Sequence, residues 1–75
     1  MPELRGVSGH QAIKALERLG FKQVRQRVSH VILKKSTPWG DVGCVVPLHK
    51  QLKTGTLRGI LKLAKVDPDE FLNNL

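Results

Sequence analysis

Three short runs rich in valine and isoleucine in the middle of the chain most constrain what it can fold into. They cover residues 21–26, 30–35 and 41–47, and the segments between them are too short to hold a helix. Residues 36–40, Ser-Thr-Pro-Trp-Gly, are the clearest turn signal. Strands joined by tight turns pair with their neighbours, so the sequence predicts a three-stranded antiparallel sheet.

Two amphipathic segments flank these strands. Ser8 is a good N-cap for a helix that runs to about Leu19 and stops at Gly20. A second helix is predicted from Thr54 or Thr56 to about Lys65. Its apolar positions repeat at helical spacing: Leu57, Ile60, Leu61 and Ala64. Asp67, Pro68 and Glu70 then predict a short last helix.

This order of elements predicts an α+β fold in one domain, residues 1–75. Both helices must cover the same face of the sheet to close one core, which leaves the other face open. A three-stranded antiparallel sheet with an α-β-β-β-α order and helices on one side is also the layout of double-stranded-RNA-binding domains. This analogy favours a nucleic-acid partner without establishing one.

The charge of the chain points to a polyanionic partner. Thirteen Lys and Arg against six Asp and Glu give a net charge of +7. No acidic residue lies between Glu17 and Asp41 or between Asp41 and Asp67, whereas basic residues are frequent in both intervals. Such a surface attracts nucleic acid through counterion release. Generic solubilising charge is the alternative, and an anionic membrane surface is a weaker one.

Cysteine content and the N-terminal segment predict a cytoplasmic protein. Cys44 is the single cysteine, so the fold has no internal disulfide and too few thiols for a structural zinc site. The first nine residues lack the apolar run of a signal peptide, and no stretch has the roughly 20 apolar residues of a membrane span. We expect no membrane association.

Histidine is the residue type that best fits catalysis here. The acids and histidines lack metal-ligand spacing, and no phosphate-binding loop is present, so we expect no metal or cofactor. His30 lies among Arg25, Arg27, Lys34 and Lys35. An imidazole can accept a proton from a ribose 2′-hydroxyl at neutral pH while cations stabilise charge on the attacked phosphate. A structural or surface role is the alternative.

Several segments together resemble the HicA family of small bacterial toxins across nearly the whole chain. They are Leu-Gly-Phe at 19–21, Ser-His at 29–30, Val-Pro-Leu-His at 46–49 and Leu-Lys-Thr-Gly-Thr-Leu-Arg-Gly-Ile-Leu at 52–61. The resemblance implies a toxin with a double-stranded-RNA-binding-like fold that cleaves mRNA without the ribosome. It also implies silencing by a HicB-type antitoxin.

The resemblance places the family's catalytic histidine at His30, with Ser29 as its usual neighbour. Val28 stands where the family commonly has glycine, and a β-branched residue argues against a positive φ there. His49 matches the Pro-x-His element, as a second acid or as a structural hydrogen-bonding residue. We expect RNA contacts, which set affinity more than sequence choice, from Arg25, Arg27, Ser29, Lys34, Lys35, His49, Lys50, Lys53, Arg58 and Lys62.

Three further residues have simpler or open interpretations. Cys44 alternates with Val42 and Val46, which predicts a small buried thiol. Trp39 at the turn could stack on an unpaired base, cover the hairpin end or contact the antitoxin. His10, in the first turn of the first helix, matches no family position and is expected to be solvated.

These observations lead to one main hypothesis. The chain is a metal-independent and ribosome-independent endoribonuclease, an mRNA interferase toxin, in which His30 is general base or acid. The alternative is a non-catalytic RNA-binding module that uses the same basic surface. A protein-interaction domain that docks an acidic antitoxin is compatible with either.

Overall fold

A computed structural model describes residues 4–75 and has the order of elements predicted from the sequence. Three strands lie between two longer helices, and a short helix follows. The bounds are α1 Gly9–Arg18, β1 Lys22–Gln26, β2 His30–Thr37, β3 Gly40–Pro47, α2 Thr54–Ala64 and α3 Pro68–Leu72.

The strands form one antiparallel sheet in the order β1-β2-β3, which confirms the predicted meander. β2 and β3 pair without interruption from His30 opposite Pro47 to Thr37 opposite Gly40. The β2–β3 turn is therefore only two residues long, shorter than the predicted turn at 36–40. The Thr37 hydroxyl donates to the Gly40 carbonyl. Gly40 has a φ of +119°, a conformation that would strain a residue with a side chain. With this bond and this conformation, the pairing of β2 and β3 continues up to the two-residue turn.

The core lies between one face of the sheet and the helices, as predicted for this α+β fold. Along β2, Val31 and Leu33 are buried, whereas the alternate residues are not. On β3, Cys44 and Val46 are buried in the same way. The helices and the C-terminal segment close this layer mainly through Ala12, Leu16, Leu57, Leu61 and Phe71. Among residues 4–75, no helix lies on the other face of the sheet.

Local signals in the sequence set the ends of the helices. Ser8 is the N-cap predicted for α1, and it forms a capping box with Gln11: each side chain accepts from the other residue's backbone N–H. α2 ends at Ala64 because Lys65 takes the left-handed conformation, with a φ of +56°. Within residues 4–75, no helix combines the length and the apolar character needed to cross a membrane.

Candidate active site

His30 begins β2, directly after the β1–β2 turn, and its side chain is exposed. Its ring Nδ1 lies 3.0 Å from the Oγ of Ser29. Its backbone carbonyl accepts a hydrogen bond from the Arg27 N–H at 2.8 Å, which closes the hairpin. A neighbouring hydroxyl and a backbone ladder thus restrict an imidazole that solvent can reach.

Backbone hydrogen bonds from two further segments hold this end of the sheet. The Leu48 N–H donates to the Ser29 carbonyl at 2.8 Å, so the exit of β3 is bonded to the residue before His30. The Gly9 N–H donates to the His49 carbonyl at 2.9 Å, which joins the start of α1 to the same segment. A Cβ on Gly9 would lie 2.2 Å from the Pro47 carbonyl oxygen, so only glycine allows this approach.

An irregularity in β1 decides which basic residues share a face with His30. Gln23 pairs with Leu33, but the next pair is Arg25 with Ile32, because a bulge lies between Gln23 and Arg25. Regular alternation would have put Val24 opposite Ile32 and turned the arginines toward the helices. The bulge instead puts Arg25 on the open face, and Arg27, two residues on, shares that face.

The open face therefore gathers much of the predicted site. Side chains alternate along a strand, so His30, Ile32 and Lys34 lie on the same side of β2. Lys22 pairs with Lys34 and adds another cation to this side. We call this surface the open basic face; it is defined by Lys22, Arg25, Arg27, His30, Ile32 and Lys34.

Other predicted RNA contacts lie away from the open basic face. Lys35 points to the opposite side of β2, and its Nζ lies 5.9 Å from the centroid of the Phe21 ring. Arg58 and Lys62 are on the exposed side of α2, in the helix layer. Lys50 and Lys53 are exposed in the segment between β3 and α2, which begins at the His30 end of the sheet.

All three histidines lie at one end of the molecule, which the sequence did not indicate for His10. His10 follows Gly9, whose N–H bonds the His49 carbonyl, and both histidines are exposed. His10 lines a small groove of about 140 Å³ with Gln26 and Leu48, on the helix side of the sheet. Among residues 4–75, no three His, Cys, Asp or Glu side chains are grouped so that they could hold a metal ion.

Val28 lies in the β1–β2 turn and is fully exposed. Its φ is not positive: among residues 4–75, Lys65 is the one non-glycine residue with a positive φ. The turn therefore reaches His30 without the conformation that favours glycine.

Cys44 is buried in the core, as its alternation with Val42 and Val46 predicted. Burial raises the pKa of this thiol from 9.0 to about 11, because the interior disfavours the thiolate. A protonated, buried thiol is a poor nucleophile. Cys44 therefore contributes packing and does not belong to the candidate site.

Trp39 lies at the far end of the β2–β3 ladder from His30, and its side chain is 92% exposed. One of the three interpretations of this residue is wrong, because an indole this exposed does not cover the hairpin end. Trp39 instead borders a groove of about 560 Å³. The other lining residues include Leu19, Phe21, Lys35, Val42, Lys65, Val66 and Glu70.

The comparison with protein families identifies the family of this chain. The family described as "HicA toxin of bacterial toxin-antitoxin" matches residues 9–66 of the 75, from the start of α1 to just beyond α2. Comparison with curated proteins gives no match. The chain belongs to the HicA family of toxins from bacterial toxin–antitoxin systems.

Proposed function

We propose that this protein is a metal-independent endoribonuclease that cleaves mRNA without the ribosome, with His30 as the catalytic residue. It acts in the cytoplasm and is neutralised by a cognate HicB-type antitoxin. Membership of the HicA family supports an RNA-cleaving toxin in general terms. The observation that carries the specific proposal is the exposed His30 imidazole, paired with Ser29 on a face rich in cations.

The Ser29–His30 pair suits proton transfer. When Nδ1 carries the proton and donates a hydrogen bond to the Ser29 Oγ, Nε2 holds the lone pair that a general base requires. Nε2 then accepts the proton of a ribose 2′-hydroxyl. The 2′-oxygen attacks the adjacent phosphorus and the bond to the 5′-oxygen breaks. The products are a 2′,3′-cyclic phosphate and a 5′-hydroxyl, whose proton comes from an acid or from water.

The guanidinium groups of the open basic face stabilise the charge of this reaction. Negative charge builds on the phosphate oxygens during attack, and fixed cations beside them lower the barrier. Arg27 closes the hairpin opposite His30, and Arg25 is the next residue of β1 on the same face. Guanidinium groups also bind phosphate oxygens in a bidentate manner. We assign both arginines to the reacting phosphate.

The remaining basic residues of the proposal increase affinity for RNA. Lys50 and Lys53 lie near the His30 end and contact phosphates beyond the cleavage point, and His49 belongs to the same segment. Arg58 and Lys62 lie in the helix layer and attract RNA at longer range. Lys35 is left out of the proposed site, because it turns toward Phe21.

The same charges favour an acidic antitoxin. An inhibitor that covers the open basic face would gain from charge complementarity and would also block access to His30. A small acidic protein encoded beside this gene is therefore the expected HicB-type partner. Its co-purification with the toxin, together with loss of RNA cleavage in the complex, would identify it.

The test is cleavage of a single-stranded RNA by purified protein in EDTA, comparing wild type with His30→Ala. We expect His30→Ala to fold and bind RNA but to cleave at least about 100-fold more slowly, because it has lost its general base. His10→Ala is the matched control, since His10 is exposed at the same end but on the helix side. It should cleave like wild type.

Two results would reject the proposal. Undiminished cleavage by His30→Ala would exclude His30 as the catalyst. Binding without cleavage by the wild-type protein would identify the alternative, a non-catalytic RNA-binding module.

A further inference from the structure

The open basic face offers more than a cleavage point, because its charges continue along the sheet beyond His30. Lys34 lies four residues after His30 on the same side of β2, about 13 Å away along the strand. Lys22 is its pairing partner on β1, so two ammonium groups face solvent at this distance from the imidazole. A ligand that contacts the protein only at the reacting phosphate would not reach Lys22 and Lys34.

The charge pattern of this face has one sign. All three strands lie within the described residues, and among their positions Asp41 is the one acid. It pairs with Ser36 beyond Lys34, at the end far from His30. Between His30 and Lys34 the face is therefore purely cationic at its charged positions. A polyanion lying along β2 would meet no repulsion over that length.

The centre of the open basic face is apolar and has few projecting side chains. Ile32 is half-buried between His30 and Lys34 along β2, and its partner on β3 is the exposed Val45. Gly43 stands opposite Lys34, so no side chain rises there on β3. Apolar contacts of this kind tolerate any base that lies over them, whereas the flanking cations bind phosphates without regard to sequence.

We infer that the open basic face is the track for a single strand of RNA, which runs along β2 from His30 to the Lys22–Lys34 pair. The inference rests on the proposed function and adds the form of the substrate and its path. Double-stranded-RNA-binding domains recognise about 16 base pairs across two minor grooves. A β2 strand of eight residues, about 26 Å long, supports one extended strand instead.

The test exploits two adjacent lysines on opposite sides of β2. Lys34→Gln removes a charge from the track, and Lys35→Gln removes the same charge from the side that faces Phe21. Binding to a ten-nucleotide single-stranded RNA is measured in the His30→Ala background at several salt concentrations. We expect Lys34→Gln to weaken binding about fivefold and to reduce the slope of log affinity against log salt by about 0.7. Lys35→Gln should change neither.

The outcomes for the track and for the nuclease are separable. Equal effects of Lys34→Gln and Lys35→Gln, or tighter binding of a ten-base-pair RNA duplex than of the single strand, would overturn the track. If RNA binding responds to neither lysine but antitoxin binding responds to Lys34→Gln, the face is a protein interface. Cleavage by the wild-type protein, measured separately, decides the proposed function, since a track can exist without it.

A length series gives a second readout. The cleavage rate of a dinucleotide, which covers only the His30 end, is compared with that of the ten-nucleotide RNA. The advantage of wild type over Lys34→Gln should be larger on the longer RNA. An advantage of the same size on both would mean that Lys34 acts at the cleavage point, which would also contradict the track.

Discussion

The two ends of the β2–β3 ladder are built differently. At the end where His30 pairs with Pro47, the Leu48 N–H bonds the Ser29 carbonyl and the Gly9 N–H bonds the His49 carbonyl. The Leu52 N–H also bonds the Val7 carbonyl, which ties the segment before α1 to the segment after β3. At the other end Thr37 pairs with Gly40, and the turn that contains Trp39 is exposed. A side chain that transfers protons must be held in position, and the bonds from neighbouring segments at the His30 end suit that role.

Gly9→Ala should disrupt the His30–Pro47 end of the ladder, which we call the supported end. We expect it to have a larger effect than any substitution at the Thr37–Gly40 end, which we call the exposed end. The new Cβ would lie 2.2 Å from the Pro47 carbonyl oxygen, so backbone must move. Overpacking of this kind costs about 3 kcal/mol of unfolding free energy. Cleavage per folded molecule should also fall, because the segment bonded to Ser29 shifts. Urea unfolding and initial cleavage rates measure the two effects.

Gly59→Ala is the matched control for this change. It is also a glycine in a helix, but its added Cβ would meet no atom within 4 Å beyond its chain neighbours and the backbone of its own helix. The substitution should raise stability by about 0.5–1 kcal/mol through helix propensity, with cleavage unchanged. If Gly9→Ala and Gly59→Ala have the same free energy of unfolding, the close approach of Gly9 to the Pro47 carbonyl is not needed for stability.

Gly40→Ala tests the exposed end, with a smaller expected effect. Its φ of +119° is strained for alanine, although no atom lies within 4 Å of the added Cβ. We expect a loss of about 1–2 kcal/mol in unfolding free energy. Cleavage per folded molecule should stay at the wild-type rate, because the strain arises at the far end of the ladder from His30. A loss of cleavage that exceeds the unfolded fraction would show that the two ends are coupled.

Trp39→Ala should have the smallest effect. An indole that is 92% exposed contributes little packing, so the unfolding free energy should change by less than about 0.5 kcal/mol. RNA cleavage should also be unchanged. A several-fold loss of RNA affinity would instead support the interpretation in which Trp39 stacks on a base, and it would give both ends of the ladder a role in binding.

The sequence predicted the elements well because their signals are local. Ser8 and Gly20 bound the first helix, and the spacing of Leu57, Ile60 and Leu61 defined the buried side of the second. The family resemblance then pointed to His30. Each of these inferences depends on residues within a few positions of one another.

The arrangement of the site was not predictable in the same way. Which face Arg25 and Arg27 occupy depends on the bulge after Gln23, and periodicity alone does not reveal a one-residue shift. The position of His10 follows from the contact of Gly9 with His49, which are 40 positions apart in the chain. Lys34 and Lys35 were grouped because they are adjacent, although adjacent strand residues lie on opposite faces.

The most direct test of the account is a titration of ¹⁵N-labelled His30→Ala protein with a short single-stranded RNA, followed by NMR. The expected result is that the backbone amides of Arg25, Ile32 and Lys34 shift together, whereas the indole N–H of Trp39 does not. Saturating shifts at Trp39, with the open basic face unchanged, would contradict the account, because RNA would then bind the unsupported end of the sheet.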